Sequence, residues 1–234
     1  MSLFRLAVLI SGSGSNLQAV IDATENGTIS NAEVALVISS RADVYGLERA
    51  EKHGIVNMVI ARNEPDMLAE KLGEHKIDGI VLAGYLSMIP PDVINAYTGR
   101  IINIHPALLP LFGGKGFYGI RVHQAVIASG VKFSGATVHL ADREYDTGPA
   151  LMRSVVRVSA NETPESLQKK VLEEEHIILV RATKALTENK IDELVGSPMT
   201  YIKNEDANDV KVYAAELSEL GSALTRAGIE SGEG

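Results

Sequence analysis

Arg5-Leu6-Ala7-Val8-Leu9-Ile10-Ser11-Gly12-Ser13-Gly14-Ser15-Asn16 decides the fold class. Residues 5–10 read as a buried strand, apolar without alternation from Leu6 onward. Ser11 to Ser15 is a tight small-residue loop, and from Asn16 to about Glu25 the apolar Leu17, Val20 and Ile21 fall at helical spacing. The same strand-and-helix alternation continues outward. Residues 34–38, 57–61, 78–83 and 101–104 read as strands, with helices near 44–53 and 64–75. Alternation of this kind predicts an α/β protein whose mostly parallel sheet carries helices on both faces. The pattern then changes. Residues 133–141 and 150–158 read as two extra strands joined by a loop ending in a turn at Asp146-Thr147-Gly148-Pro149. A long helix opens at Thr163-Pro164-Glu165 and runs to about Leu186.

The loop at Ser11–Asn16 has two readings. Glycines let the backbone turn tightly, and the following helix N-terminus offers free N–H groups to an anion, with Ser15 and Asn16 adding side-chain donors. The plainer reading is a tight strand-to-helix turn. Two well-characterised phosphate loops do not fit. A nucleoside-triphosphate loop needs a Lys that is absent here. The dinucleotide fingerprint needs a third glycine where Leu17 stands, and an acid where Ser39, Ser40 and Arg41 stand. A phosphate monoester on a small molecule fits the loop better than a nicotinamide cofactor does.

Asn103-Ile104-His105-Pro106-Ala107-Leu108-Leu109-Pro110 closes another apolar run. Residues i and i+2 of a strand share a face, so Asn103 and His105 project side by side and Pro106 ends the strand. An amide donor beside a titratable ring is equipment for stabilising an oxyanion and moving a proton at a carbonyl-type carbon. Asp146 either orders its own turn or holds the His105 ring and favours its imidazolium form. His139 lies within a strand pattern and reads as a packed, hydrogen-bonded histidine. His123, in a helix-like stretch, faces either the site or solvent. In Glu173-Glu174-Glu175-His176, one member of a largely solvated run reaches inward. No set of histidines and carboxylates has metal-ligand spacing, so no metal is expected.

Composition bounds the function from outside. With 22 basic and 30 acidic residues among 234, the net charge of −8 argues against a general nucleic-acid or membrane-surface binder. The chain has no cysteine, which excludes disulfide and thiolate chemistry. Its apolar runs are too short to span a bilayer, and no signal-peptide pattern opens it, so a cytoplasmic protein is expected. Residues 1–198 read as one domain. Residues 199–234 carry three basic and seven acidic side chains and read as an acidic extension, a short helix plus a frayed end.

Taken in order and spacing, the Ser11–Asn16, Asn103–Pro110 and His139–Pro149 stretches closely resemble the phosphoribosylglycinamide formyltransferase family, folate-dependent enzymes of purine synthesis. The resemblance covers about residues 4–190. It implies a Rossmann-like core with a few extra C-terminal strands and a long helix. It also implies formyl transfer from 10-formyltetrahydrofolate, a co-substrate, to the amine of glycinamide ribonucleotide, in a monomer or homodimer. Carried over residue by residue, Asn103, His105 and Asp146 match the catalytic residues. Gly14, Ser15 and Asn16 match the phosphate contacts, and Glu175 a further ribonucleotide contact. Arg62, the segment Leu86, Ser87, Met88 and Ile89, and Asp142, Arg143, Glu144, Tyr145 and Asp146 match the folate pocket, to which Asn103 also belongs. In the mechanism implied, the amine attacks the formyl carbon directly, Asn103 and an imidazolium His105 stabilise the tetrahedral oxyanion, and no metal takes part. The Leu109–Pro110 bond is expected to be cis. Lys115 or Arg121 is within plausible reach of a phosphate. Sister enzymes on the same core, a formyltetrahydrofolate hydrolase or a methionyl-tRNA formyltransferase, are the alternatives; the short acidic tail offers the latter no basic RNA-binding domain.

Overall fold

The computed structural model describes residues 2–196 and 198–202. Eight strands form one sheet: β1 (Phe4–Ile10), β2 (Ala32–Ser39), β3 (Asn57–Val59), β4 (Gly79–Leu82), β5 (Ile101–His105), β6 (Phe133–Leu140), β7 (Ala150–Arg157) and β8 (Met199–Ile202). Their order across the sheet is β3-β2-β1-β4-β5-β6-β7-β8. The first five run parallel, β6 is antiparallel to both neighbours, and β8 returns parallel to β7. Six helices connect them: α1 (Ser15–Glu25), α2 (Tyr45–Lys52), α3 (Pro65–Glu74), α4 (Pro91–Ala96), α5 (Ile120–Ser129) and α6 (Pro164–Thr187).

The unbroken apolar run of β1 is explained by two cores, one on each face of the sheet. Leu6, Val8 and Ile10 pack with α1 and α6 residues such as Leu17 and Ile178, whereas Ala7 and Leu9 pack with Leu68, Leu72 and Val93 of α3 and α4. Alternate side chains of a strand point to opposite faces, so a strand covered on both sides has no polar position to spare. The strand order reverses between β1 and β4. At that switch point the connections leave in opposite directions, and a crevice opens beyond the carboxyl ends of the strands.

Two elements differ from the sequence reading. The helix Pro91–Ala96 went unread because six residues supply too little periodicity. Residues 199–202, read as the start of an extension, pair with β7 from Met152 to Val155 and so belong to the sheet. The domain therefore reaches past residue 198. The short helix and frayed end expected further on lie outside the described residues. Among those residues no helix is long and apolar enough to cross a membrane.

The helix α6 lies along one face of the sheet and carries side chains to the crevice. Its start is fixed by a reciprocal cap: Ser166 N–H donates to Thr163 Oγ1 at 3.2 Å, and Thr163 N–H donates to Ser166 Oγ at 3.0 Å. Thr163→Ala is expected to lower stability by about 1 kcal/mol, read from urea unfolding, with the helix otherwise retained. An unchanged unfolding midpoint would show that the cap contributes nothing.

Candidate active site

A cavity of about 960 Å³ occupies the crevice at the switch point. Its walls come from the loops after β1, β2, β4 and β5, the loop before α5, the β6–β7 loop and one face of α6.

The loop after β1 is held through its carbonyls. Gly46 N–H donates to Gly12 carbonyl at 3.2 Å and Arg49 Nε to Ser13 carbonyl at 2.9 Å. Gly14 sits at φ +71°, and a Cβ there would stand 2.7 Å from Gly46 Cα, so the loop packs against α2 only as glycine. Helix α1 has no side-chain cap and no acidic residue in its first turn. An uncapped N-terminus of this kind is chemically suited to an anion. Ser11 Oγ accepts from Leu86 N–H at 2.9 Å and lies 2.6 Å from Ser40 Oγ, tying together the loops after β1, β2 and β4.

Asn16 and Glu175 meet on the cavity wall. Asn16 Nδ2 donates to Glu175 Oε2 at 2.6 Å, and Asn16 Oδ1 is buried without a partner. Burial pushes the Glu175 carboxyl up, and the Asn16 hydrogen bond pulls it only partly back. Gln168 and Leu172 line the same wall. They precede Glu175 by seven and three residues on α6, a helical stripe that periodicity alone would have identified.

The antiparallel register of β5 and β6 sets Asn103 opposite His139 and His105 opposite Thr137. His139 Nδ1 donates to Leu140 carbonyl at 2.8 Å, so its Nε2 accepts from Asn103 Nδ2 at 2.9 Å. The second N–H of that amide has only a 3.4 Å contact to Asp146 Oδ1. His139 is the packed histidine anticipated, and its packing orients Asn103. His105 Nε2 donates to Phe112 carbonyl at 2.8 Å, which leaves Nδ1 facing Asp146 Oδ2 at 3.4 Å.

Asp146 is held from three sides. Oδ2 accepts Gly114 N–H at 2.9 Å, and the two histidines flank the carboxylate within 3.5 Å. Its backbone is left-handed at φ +60°, a conformation aspartate tolerates better than most residues. Burial alone would raise its carboxyl. The nearby His139 ring, the charge of His105 and the Gly114 N–H together bring it below the ordinary value.

For His105 the balance runs the other way. Burial pushes the imidazole down, and the Asp146 charge and the Phe112 carbonyl recover only part of this. Burial thus favours the uncharged form of the resting ring. His123 is also drawn into the wall; burial, then neighbouring His105, pushes it down to about 4.

The structure brings Gly14, Ser15, Asn16, Arg62, Leu86, Asn103, His105, Tyr145, Asp146 and Glu175 to one cavity. Others implied by resemblance stand behind it. Ser87 accepts from Arg62 Nε at 3.0 Å, Ile89 is in the second core, and Met88 is exposed. Asp142 braces its own loop by accepting from Thr147 Oγ1 at 2.8 Å, Arg143 donates to Asn95 at 3.0 Å, and Glu144 is exposed. Lys115 lines the cavity and Arg121 instead stacks on Tyr118. The Leu109–Pro110 bond is cis. Among the described residues no group of three or more His, Asp or Glu side chains is placed to hold a metal ion.

Residues 4–183 match the family model described as formyl transferase. A chloroplastic phosphoribosylglycinamide formyltransferase of Arabidopsis thaliana is 45% identical over 80% of this chain, which spans 66% of that relative's length. The phosphoribosylglycinamide formyltransferase of Haemophilus influenzae is 35% identical over 80% of this chain and 89% of its own. A solved glycinamide ribonucleotide transformylase from Symbiobacterium toebii superposes with a TM-score of 0.74 at 38% identity, covering 80% of this chain and 89% of that one. With its sheet order, its cavity and these likenesses, the chain belongs to the formyl transferase family, on the phosphoribosylglycinamide formyltransferase branch.

Proposed function

We propose that this protein transfers a formyl group from 10-formyltetrahydrofolate to the primary amine of glycinamide ribonucleotide. The observation that carries this reading is that an anion-ready helix N-terminus and the Asn103–His105–Asp146 cluster open on one cavity. One end suits the acceptor's phosphate and the other its amine.

In this reading Gly14, Ser15 and Asn16 take the phosphate, while Asn16 Oδ1 and Glu175 hold donors further along the acceptor. A Glu175 carboxyl pushed toward its neutral form adds less negative charge beside a phosphate. The folate enters along Arg62, Leu86 and Tyr145, where Arg62 is fixed by donating to Leu86 carbonyl at 2.7 Å. The neutral amine attacks the formyl carbon. Asn103 gives its loosely held N–H to the developing oxyanion. His105, neutral at rest, takes up the proton released by the attacking nitrogen, directly or through water, at Nδ1. That places an imidazolium next to the Asp146 carboxylate, which stabilises it. The proton then passes to the leaving folate nitrogen.

The assay is formyl transfer from 10-formyltetrahydrofolate with and without glycinamide ribonucleotide. Turnover that requires the ribonucleotide and yields its formyl product is the expected result. Folate turnover without acceptor would point to a hydrolase. Asp146→Asn preserves shape and tolerates the left-handed backbone, and it should lower kcat by about 10²- to 10⁴-fold while the unfolding midpoint changes little. Turnover like that of the wild type would remove Asp146 from the mechanism.

The pH profile carries a sign. A neutral His105 base gives an acid limb in kcat/KM below the ordinary imidazole value, because burial lowers that ring. The Asp146 charge raises His105, so its removal should move the limb to still lower pH. Rates measured from about pH 5 to 8 test this, and a limb that moves up in Asp146→Asn contradicts the assignment.

A further inference from the structure

His123 is the buried histidine that the proposed chemistry does not use. It lies in the first turns of α5, is 1% exposed, and forms part of the cavity wall beside the Gly114–Gly119 loop. Its Nδ1 is shut away from solvent and has no hydrogen-bond partner. An unpaired polar atom at such a position is destabilising, so a ring that served packing alone gains nothing from its nitrogens. A buried acceptor without a partner is tolerated more readily than a buried N–H without one. The proton therefore belongs on Nε2, the other polar edge of the ring.

We infer that His123 is a further substrate-binding residue, whose Nε2–H donates to an uncharged oxygen, a carbonyl or hydroxyl, at the amine-bearing end of the acceptor. The inference rests on the formyl-transfer reading above. The acceptor must run from the α1 N-terminus to the Asn103–His105–Asp146 cluster, and His123 lies close enough to His105 to feel its charge. The phosphate, at the far end, is served by backbone N–H groups. Next to His105 the chemistry asks for a donor without charge. A lysine or arginine there would oppose proton uptake by His105, whereas an imidazole held neutral orients an oxygen and leaves the base free to work.

The test is steady-state kinetics on the full chain with His123→Phe and His123→Gln, alongside urea unfolding. Phenylalanine keeps a flat ring and removes the donor; glutamine keeps an N–H. His123→Phe should raise KM for glycinamide ribonucleotide about tenfold and leave KM for 10-formyltetrahydrofolate within about twofold. Its unfolding midpoint should not fall, since an unpaired buried nitrogen is lost with the donor. His123→Gln should bring the acceptor KM back to within about threefold of wild type. If the phenylalanine variant does not fold, His123→Leu takes its place. An unchanged acceptor KM, an equal rise in both KM values, no recovery with glutamine, or a loss that tracks a lower unfolding midpoint each overturns the assignment. Wild-type protein that gives no transfer to the ribonucleotide overturns the formyl-transfer reading itself, and this inference with it; an active wild type with an indifferent variant overturns the inference alone.

Discussion

The antiparallel pairing of β5 with β6 is the interaction on which the site depends. Parallel strands β1 to β5 build the crevice, but they supply only Asn103 and His105 from the reacting cluster. Reversal at β6 brings His139 opposite Asn103, and the β6–β7 loop then returns Asp146 over both. A slip of one residue in that pairing would turn His139 to the other face of the sheet and leave Asn103 without its orienting acceptor. The register is locked by the buried Thr137, which donates to Ala107 carbonyl at 2.7 Å and accepts Leu109 N–H at 3.1 Å. The same side chain thus fixes the strand and the chain segment that leaves His105.

The electrostatics of the cavity follow from burial. Its imidazoles His105 and His123 are pushed toward neutrality, and so is the carboxyl of Glu175. Asp146 is the exception, kept below the ordinary value because three partners face it. A cavity arranged in this way holds the Asp146 carboxylate beside the His105 ring. In the proposed mechanism, proton transfer from substrate to His105 creates an ion pair where a neutral–anion contact stood. That stabilisation exists after the proton moves and is absent before it, the condition for lowering a barrier rather than tightening ground-state binding.

Much of this was legible in the sequence, for identifiable reasons. The strand–loop–helix start was legible because burial on both faces allows no polar residue from Leu6 to Ile10 of β1. Asn103 and His105 were legible as a pair because a two-residue spacing fixes a shared face. The surroundings of His105 were not, since the Phe112 carbonyl that accepts from its ring lies seven residues along a loop with no regular period. Sequence spacing cannot weigh desolvation against a charge that arrives from another strand. His123 had two open readings for the same reason, as helical periodicity gives a direction only once the neighbouring walls are placed. The strand Met199–Ile202 was not legible because four residues leading into an acidic stretch carry too little pattern of their own.

Glycine at close approaches lets the loops around the cavity take these positions. A Cβ at Gly113 would lie 2.5 Å from Leu109 Cδ2 and 3.2 Å from Asp146 Cβ. The His105-proximal loop and the Asp146 loop therefore touch backbone to side chain, and the next residue, Gly114, turns its N–H onto the carboxylate. At Gly148 a Cβ would stand 1.8 Å from Leu140 carbonyl oxygen, so the β6–β7 connection closes only as glycine. These contacts set the height of Asp146 above the strands. With that height fixed, the 3.4 Å separation from His105 Nδ1 leaves the carboxylate near enough to stabilise a proton on the ring. Burial disfavours the charged ring while the carboxylate favours it, so the glycines and the core together set the two opposing influences on His105.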